Sequence, residues 1–290
     1  MWNAQATAFD FAAPSPPENC EPLSDRNFRR ISEIVERTCG IHITAKKKSL
    51  VEGRMRRRMR ALDLTNPNDY TSRLLEQDPD GRELALFIDA VTTNKTDFFR
   101  EPKHFEFLQD VLLPKLAEEG RRPLKFWSAA CSTGAEAYTM AMVIESALGT
   151  NANYSILATD ICSDVLEQGA AALYPTAMLE PVPEAHRRRF VLVAKDPARH
   201  EFRIASPLRR RVDFRHLNLI DETYPFDRDF DVIFLRNVLI YFDRATQRSV
   251  LQNLVRHLRP GGHLFLGHSE SLAGFGLPLA PVASTIFIRR

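Results

Sequence analysis

In the second half of the chain, short apolar segments alternate with longer segments of helical periodicity. The apolar segments include "LKFWSA", "YSILATD" and "FDVIFL", and the helical ones include "RATQRSVLQNLVRHL". Strands that alternate with helices predict a mostly parallel sheet that is covered by helices on both sides. The alternation breaks where two candidate strands flank "KDPAR", which predicts an inserted β-hairpin. We expect the last segment, "ASTIFIRR", to pair antiparallel at the sheet edge.

The region before this alternation shows helical patterns only. Val51, Met55, Met59 and Leu62 form one apolar stripe, and Thr44 is expected to cap the start of that helix. Asn66 is a candidate N-cap because Pro67 follows it at the first helical position. Short helices with short loops predict a small helical bundle. The predicted organisation is a flexible tail (1–23), a helical domain (24–92) and an α/β domain (93–290) with a β insertion (174–211).

Composition and charge exclude several classes of protein. The N-terminal stretch has no basic region followed by an apolar core, so it does not resemble a secretory signal. No apolar run approaches the roughly 20 residues of a membrane helix. The four cysteines are scattered and the histidines lack metal-ligand spacing, so we expect reduced thiols in the cytoplasm and no metal site. The net charge of +2 excludes a polycation, and any basic partner surface must come from local clustering.

The stretch "FWSAACSTGAEAY" predicts a strand, a tight turn and a helix, which is the local plan of a nucleotide site. A dinucleotide site needs several glycines to admit a pyrophosphate, but this turn has only Gly134 and carries an acid, Glu136. S-adenosylmethionine has no phosphate, and its cationic ammonium suits a carboxylate. Asp160, at the end of the next strand, can accept hydrogen bonds from ribose hydroxyls. An acid that serves only as a partner for the helix dipole remains an alternative.

The expected ligand site is a crevice at one edge of the sheet. In open parallel sheets, ligands bind beyond the carboxyl ends of the strands. Candidate strands lead into four features: Asp160, Asn218, Arg236 and the turn after Trp127. These groups should therefore surround one crevice, and we expect its lining to be mainly acidic.

Six motifs in this order and spacing resemble the bacterial chemotaxis receptor methyltransferases, a family commonly called CheR. They are "TTNKTDFFREPKHF", "SAACSTGAEAY", "ATDI", "NL" at 218–219, "FDVIFLRNVLIYFD" and "GHSES". The resemblance covers nearly everything after the N-terminal tail. It implies a Rossmann-like methyltransferase sheet with an inserted β-hairpin subdomain, preceded by an all-α domain.

The resemblance also implies an activity. The family transfers methyl groups from S-adenosylmethionine to glutamate side chains of chemoreceptors, giving γ-methyl esters, and works in the cytoplasm at membrane-bound receptors. The turn departs from the usual family pattern, because Ala135 and Ala137 replace an acid and a proline. The implied cofactor-binding residues are Asn94, Thr96, Arg100, Glu136, Asp160, Asn218, Leu219, Leu235 and Arg236. The candidate catalytic residues are Arg100, Arg236 and Tyr241.

The segment "KKKSLVEGRMRRRMR" combines an apolar stripe with a cationic face. Three interpretations remain open: a solvated face, a nucleic-acid backbone site without interleaved aromatics, and a docking face for an acidic protein. The resemblance favours the acidic methylation helix of a chemoreceptor over nucleic acid. The candidate receptor-binding residues are Lys46, Lys47, Arg54, Arg57 and Arg58.

The inserted hairpin has a second implication. Some family members bind a receptor C-terminal pentapeptide there through a glycine-rich turn. This chain has "AKDPARHEF" at that place, without glycine. We therefore expect no pentapeptide tether. We also expect no direct membrane insertion, because no apolar run is long enough.

Two other functions remain to be separated from receptor methylation: a nucleic-acid methyltransferase with the same cofactor, and a non-enzymatic cofactor-binding scaffold.

Overall fold

A computed structural model describes residues 21–120, 123–196, 198–226 and 228–290. Most of the predicted N-terminal tail, and Cys20 with it, lies outside the described residues. Leu23 is already packed, with 1% of its surface exposed, and its N–H donates to Glu52 Oε1. The chain forms two compact units, one of residues up to Glu36 together with 43–91, and one of residues 37–42 together with 92–290.

The first unit is helical, as predicted. Its helices are α1 (Asp25–Cys39, whose last residues belong to the second unit), α2 (Lys48–Ala61), α3 (Pro67–Glu76) and α4 (Arg82–Val91). The predicted stripe on α2 is confirmed for Val51, Met55 and Met59, which are buried, but Leu62 caps the end of the helix and is only partly buried. Asn66 caps α3 by accepting from Asn68 N, also as predicted.

The predicted cap of α2 by Thr44 is wrong. A 3-10 turn, Ala45–Lys47, precedes the helix, and Thr44 makes no side-chain capping bond. The carbonyl of Thr44 instead accepts from Lys47 N, which closes the 3-10 turn and moves the start of α2 to Lys48.

The second unit is built on a seven-stranded sheet with the order β6-β2-β1-β7-β8-β10-β9. Five strands are parallel, and β10 pairs antiparallel with both β8 and β9. The strands of this sheet are β1 (Leu124–Ala129), β2 (Tyr154–Asp160), β6 (Val212–His216), β7 (Phe230–Leu235), β8 (Leu258–Leu266), β9 (Leu279–Ala283) and β10 (Ile286–Arg289). The predicted, mostly parallel sheet is therefore confirmed.

The expectation for the last strand is wrong in one respect. β10 is antiparallel, but it lies inside the sheet because β9 occupies the edge. The segment "LAPVA" of β9 contains Pro281 and is largely exposed, and both features are tolerated at an edge strand.

The insertion is a small antiparallel sheet of order β3-β5-β4. β4 (Val191–Val193) and β5 (Glu201–Ile204) form the predicted hairpin, and β3 (Leu173–Pro175) adds a strand that the sequence analysis missed. Tyr174 and Phe202 of this small sheet are buried in the same hydrophobic cluster as side chains of the main sheet and of the helices that cover it.

Helices cover both faces of the main sheet. Phe126 and Trp127, neighbours on β1, belong to two different hydrophobic clusters, as expected when successive side chains point to opposite faces. The helices of this unit are α5 (Pro102–Phe107), α6 (Leu113–Glu118), α7 (Ala135–Leu148), α8 (Ser163–Ala171), α9 (Glu184–Phe190), α10 (Ser206–Arg209) and α11 (Arg244–His257). A π-helical turn joins α5 to α6.

Candidate cofactor-binding site

A crevice lies at the carboxyl edge of the parallel strands, where the sequence analysis expected one. The turn after β1, the ends of β2 and β7 and the loop after β6 all contribute to it. The predicted residues that line it are Asn94, Thr96, Arg100, Glu136, Asp160, Asn218, Leu219, Arg236 and Tyr241. Leu235 stands apart, because it is fully buried at the end of β7 and does not line the crevice.

The turn after β1 is folded tightly across the end of β2. Ala130, Ser132 and Gly134 all have positive φ, and Cys131 N donates to Thr159 O. A Cβ on Gly134 would lie 2.7 Å from the ring of Phe214, so both the backbone angle and the space require glycine. The single glycine therefore shapes the turn itself, and it does not open a path for a pyrophosphate.

Asp160 is fixed by backbone donors on both sides. Its Oδ2 accepts from Ser132 N at 2.8 Å and its Oδ1 from Cys162 N at 3.0 Å. Burial raises the pKa of Asp160, and these backbone hydrogen bonds act in the opposite direction. A carboxylate has about four lone-pair sites, so each oxygen of Asp160 can accept a further hydroxyl from the crevice.

Glu136 and Arg236 form a buried ion pair inside the crevice. Arg236 Nη1 lies 3.2 Å from Glu136 Oε2, and Ser128 Oγ donates to Glu136 Oε1 at 2.6 Å. The arginine side chain is only 2% exposed. Burial raises the pKa of Glu136, and the charge of Arg236 partly offsets that shift.

The segment before α5 forms another wall of the crevice. Ser132 Oγ donates to Asn94 O at 2.8 Å, and Asn94 Nδ2 contacts Cys162 Sγ at 3.5 Å. The guanidinium of Arg100 donates to Lys95 O at 3.0 Å and is partly exposed. Arg100 therefore has donors left for an anionic group.

The loop after β6 and the turn after β7 close the crevice together with the end of α1. Asn218 Nδ2 donates to Thr38 O at 2.6 Å, and the Asn218 side chain lines the crevice. The carbonyl of Tyr241 accepts from His42 N at 2.9 Å. The sequence analysis did not identify Cys39 and Ile41 as lining residues, because they lie at the end of α1 and just after it and carry no ligand motif.

The lining is not mainly acidic, contrary to expectation. Among the described residues that line the crevice, three are acidic and three are basic: Asp97, Glu136 and Asp160, and Lys95, Arg100 and Arg236. The count corrects the prediction because Arg236, which follows β7, lies in the crevice and pairs with Glu136, while Lys95 and Arg100 come from the segment before α5. Such a lining suits an amino-acid group, which carries both an ammonium and a carboxylate.

Two glutamates that the sequence analysis did not single out support the turn after β7. Glu270 is buried and accepts from four backbone N–H groups, those of Asn237, Val238, Leu239 and Gly267. The second is Glu101, whose Oε2 lies 3.3 Å from Arg236 Nη2. The spacing of these two glutamates in the sequence does not indicate which groups they contact. The fold decides which groups lie next to a buried carboxylate.

Glu101, His104 and His268 have donor atoms within 4.8 Å of one another, which is a possible arrangement of metal ligands. However, Glu101 Oε2 already faces the guanidinium of Arg236 at 3.3 Å. That permanent positive charge would repel a metal ion bound to the same oxygen. We therefore assign this carboxylate to Arg236.

The five candidate receptor-binding residues lie in the helical unit, and they differ in their surroundings. Lys46 and Arg57 are exposed. Arg54 donates to Ala90 O at 3.0 Å, and Arg58 forms a two-bond ion pair with Glu83 at 2.8 and 3.0 Å. Arg54 and Arg58 thus join α2 to α4, and the docking role stays a prediction for all five, including Lys47.

None of the described helices is both long and apolar enough to span a membrane.

Two family models and several known proteins match this chain. The model of the "CheR methyltransferase, SAM binding domain" matches residues 94–288, and that of the "CheR methyltransferase, all-alpha domain" matches residues 26–92. A chemotaxis protein methyltransferase of Klebsiella aerogenes is 41% identical over 87% of this chain and 85% of its own length. The chemotaxis protein methyltransferase of Escherichia coli is 38% identical over 87% and 86% of the two chains, and chemotaxis protein methyltransferase 2 of Pseudomonas aeruginosa is 37% identical over 90% and 92%.

Proposed function

This chain belongs to the CheR methyltransferase family, and we propose that it methylates glutamate side chains on the cytoplasmic helices of chemoreceptors. S-adenosylmethionine is its cofactor, and methylation in chemotaxis is its general activity. The observation that carries the proposal is the crevice lining: Asp160 with free acceptor positions, the Glu136–Arg236 pair and Arg100 lie around one opening.

The residues of the crevice fit the functional groups of this cofactor. Asp160 has acceptor positions for two ribose hydroxyls, and Glu136 supplies an anion for the α-ammonium. Arg100 supplies donors for the cofactor carboxylate, with Asn94 and Thr96 in the same wall. Asn218 and Leu219 line the crevice beyond the end of β6 and would contact the nucleoside part of the cofactor. When bound, the cofactor supplies a methyl group activated by a sulfonium.

The acceptor requires little from the protein. A glutamate, with an ordinary pKa of about 4.3, is ionised at neutral pH, so the chain needs no general base to prepare it. The reaction neutralises an anion and a cation, and water stabilises these reactants more than it stabilises the transition state. The main tasks of the chain are therefore to exclude water and to align the reacting groups.

Arg236 and Tyr241 are the side chains that we assign to the acceptor side. Arg236 is held in the crevice by its carboxylate partners, and the N–H groups that these partners leave unused can orient an acceptor carboxylate. Tyr241 lines the same crevice in the turn that follows β7. Together they would hold an incoming glutamate beside the methyl group.

Substituting Arg236 tests this assignment. Arg236→Ala leaves two buried carboxylates without their cation, so the matched variant Arg236→Lys is needed to retain the charge while removing the forked donors. We expect Arg236→Lys to lower the rate of methyl transfer at saturating cofactor by roughly tenfold or more, the loss of one charge-assisted contact. Cofactor binding and methyl transfer should be measured separately. Unchanged turnover in the folded lysine variant would contradict the assignment.

The substrate class is tested by labelled methyl transfer. A receptor cytoplasmic fragment and a structured RNA are each incubated with the enzyme and the labelled cofactor. The proposal predicts label on the receptor fragment that mild base releases, as expected of a carboxyl ester. Label on RNA, or base-stable label on protein, would contradict it.

A further inference from the structure

Glu101 occupies an unusual backbone position at the start of α5. It is the N-cap residue, with φ 58° and ψ 64° in the left-handed region, and its side chain makes no capping hydrogen bond. Left-handed geometry is costly for a residue that has a side chain. The Glu101 side chain is 11% exposed, and its Oε2 lies 3.4 Å from His104 Nδ1 in the first turn of the helix. These features indicate that the side chain is needed elsewhere.

The carboxylate of Glu101 contacts the end of β7 and the loop after β8. Its Oε2 lies 3.3 Å from Arg236 Nη2. Its Oε1 accepts from Asn237 Nδ2 at 3.1 Å and from His268 N at 3.4 Å. Asn237 is itself in the left-handed region, with φ 60°. One side chain thus secures two consecutive residues of the turn that carries Arg236.

Arg236 therefore lies between two carboxylates. Nη1 faces Glu136 and Nη2 faces Glu101, and the same Nη2 donates to Arg100 O. The guanidinium also lies over the ring of Phe105, with its carbon 5.4 Å from the ring centre. Because Glu136 lines the crevice and Glu101 does not, Glu101 affects the crevice through its partners Arg236 and Asn237, which both line it.

We propose that Glu101 is a positioning residue for the methyl-transfer site. It holds one end of the Arg236 guanidinium, so that the other end stays on Glu136 and the Glu136 carboxylate keeps its direction toward the cofactor ammonium. Without this charge, Glu136 alone neutralises Arg236, and Nη2 keeps only its hydrogen bond to the carbonyl of Arg100. The inference rests on the proposed function only in taking the crevice as the cofactor site.

The charges around Glu101 support its pairing with Arg236. Burial acts to raise the pKa of Glu101, but Arg236 and the hydrogen bond from Asn237 hold it below its ordinary value, so the carboxylate is ionised. His104 is packed beside it, and burial, followed by the charge of Arg236, lowers the pKa of His104 to about 4. His268 Nδ1 is 3.9 Å from Oε2 and is half-exposed. Arg236 is thus the permanent cationic partner of Glu101.

The test is a double-mutant cycle read by titration with S-adenosylhomocysteine, which needs no receptor. Glu101→Gln keeps the size of the side chain and an oxygen acceptor but removes the charge. We expect it to weaken binding roughly tenfold, the loss of one charge-assisted contact. Glu106→Gln, an exposed glutamate on the same helix, is the matched control and should bind like the wild type.

The second arm separates positioning from a merely structural role. In an Arg236→Gln background, Glu101→Gln should change affinity less than about twofold, because its partner is already gone. An equal, roughly tenfold loss in both backgrounds would overturn the proposal, as would wild-type affinity of the Glu101→Gln single variant. Should Arg236→Gln not fold by circular dichroism, Glu136→Gln provides the background with the same expectation. Failure of the wild type to bind would instead contradict the cofactor site itself.

Discussion

At the scale of single residues, the crevice depends on acids that are buried next to cations. Glu136 is held by Arg236 and Ser128, and Asp160 by two backbone N–H groups. Each acid thus has a fixed orientation before any ligand arrives. Such preorganisation reduces the entropy that is lost on binding.

The raised pKa of Glu136 leads to a prediction about pH. Because the pKa of Glu136 is higher in the folded chain than its ordinary value of 4.5, this residue contributes to the stability of the fold, and the contribution is fully present below pH 4.5. It is lost as the pH rises through the raised pKa. The ammonium of the cofactor needs the ionised form. Affinity for S-adenosylhomocysteine should therefore rise with pH across the same interval, while the contribution of Glu136 to stability falls.

Titrations at a series of pH values check this expectation. Glu136→Gln should bind more weakly and should lose part of the pH dependence, leaving the part that Asp160 causes in the same direction, since burial also raises its pKa. A wild-type affinity that stays constant down to pH 4.5 would contradict the account.

At the scale of secondary-structure elements, the packing of α8 on β6 allows a sharp test. A Cβ on Gly169 would lie 2.5 Å from the ring of Phe214. Gly169→Ala should therefore lower the free energy of unfolding by roughly 1–3 kcal/mol, as overpacking does. Gly53→Ala on α2 meets no atom within 4 Å and should raise the free energy by about 0.5–1 kcal/mol.

Urea denaturation of both variants measures these changes. Phe214→Leu in the Gly169→Ala background should recover part of the lost stability, because the smaller side chain leaves room for the new methyl group. Equal stability of Gly169→Ala and the wild type would show that the ring moves without cost, and would contradict the packing argument.

The sequence predicted elements better than it predicted their neighbours. The strands β1, β2 and β7 follow from short apolar runs, Asp160 from its place at the end of β2, and Glu136 from the strand–turn–helix pattern after β1. β9 was missed because an edge strand with a proline lacks an apolar pattern. The role of Glu101 was missed because its partner, Arg236, lies 135 residues further along the chain and only the fold brings them together.

At the scale of the whole molecule, we expect the two units to carry different tasks. The α/β unit contains the cofactor crevice, and the helical unit carries the cationic face of α2. Within that face, Arg54 and Arg58 are engaged with α4, whereas Lys46 and Arg57 are exposed. The exposed residues are therefore the better candidates for contact with an acidic receptor helix.

The division predicts separate effects of surface charge. The double variant Lys46→Gln/Arg57→Gln should raise the KM for a receptor fragment roughly three- to tenfold at low salt, because charge complementarity speeds the encounter. Affinity for S-adenosylhomocysteine should not change. Arg26→Gln, an exposed arginine on α1, is the control. Added salt should reduce the difference between variant and wild type, and a KM equal to that of the control would contradict docking through α2.

The central claim is that the crevice at the carboxyl edge binds S-adenosylmethionine through Asp160. The most direct measurement is a calorimetric titration of S-adenosylhomocysteine into the wild type, Asp160→Asn and the exposed control Asp110→Asn. We predict one site per chain in the wild type and the control, and affinity at least roughly tenfold weaker in Asp160→Asn, since two charge-assisted hydrogen bonds to the ribose are lost. Absence of binding to the wild type, or equal affinity of Asp160→Asn, would contradict the account.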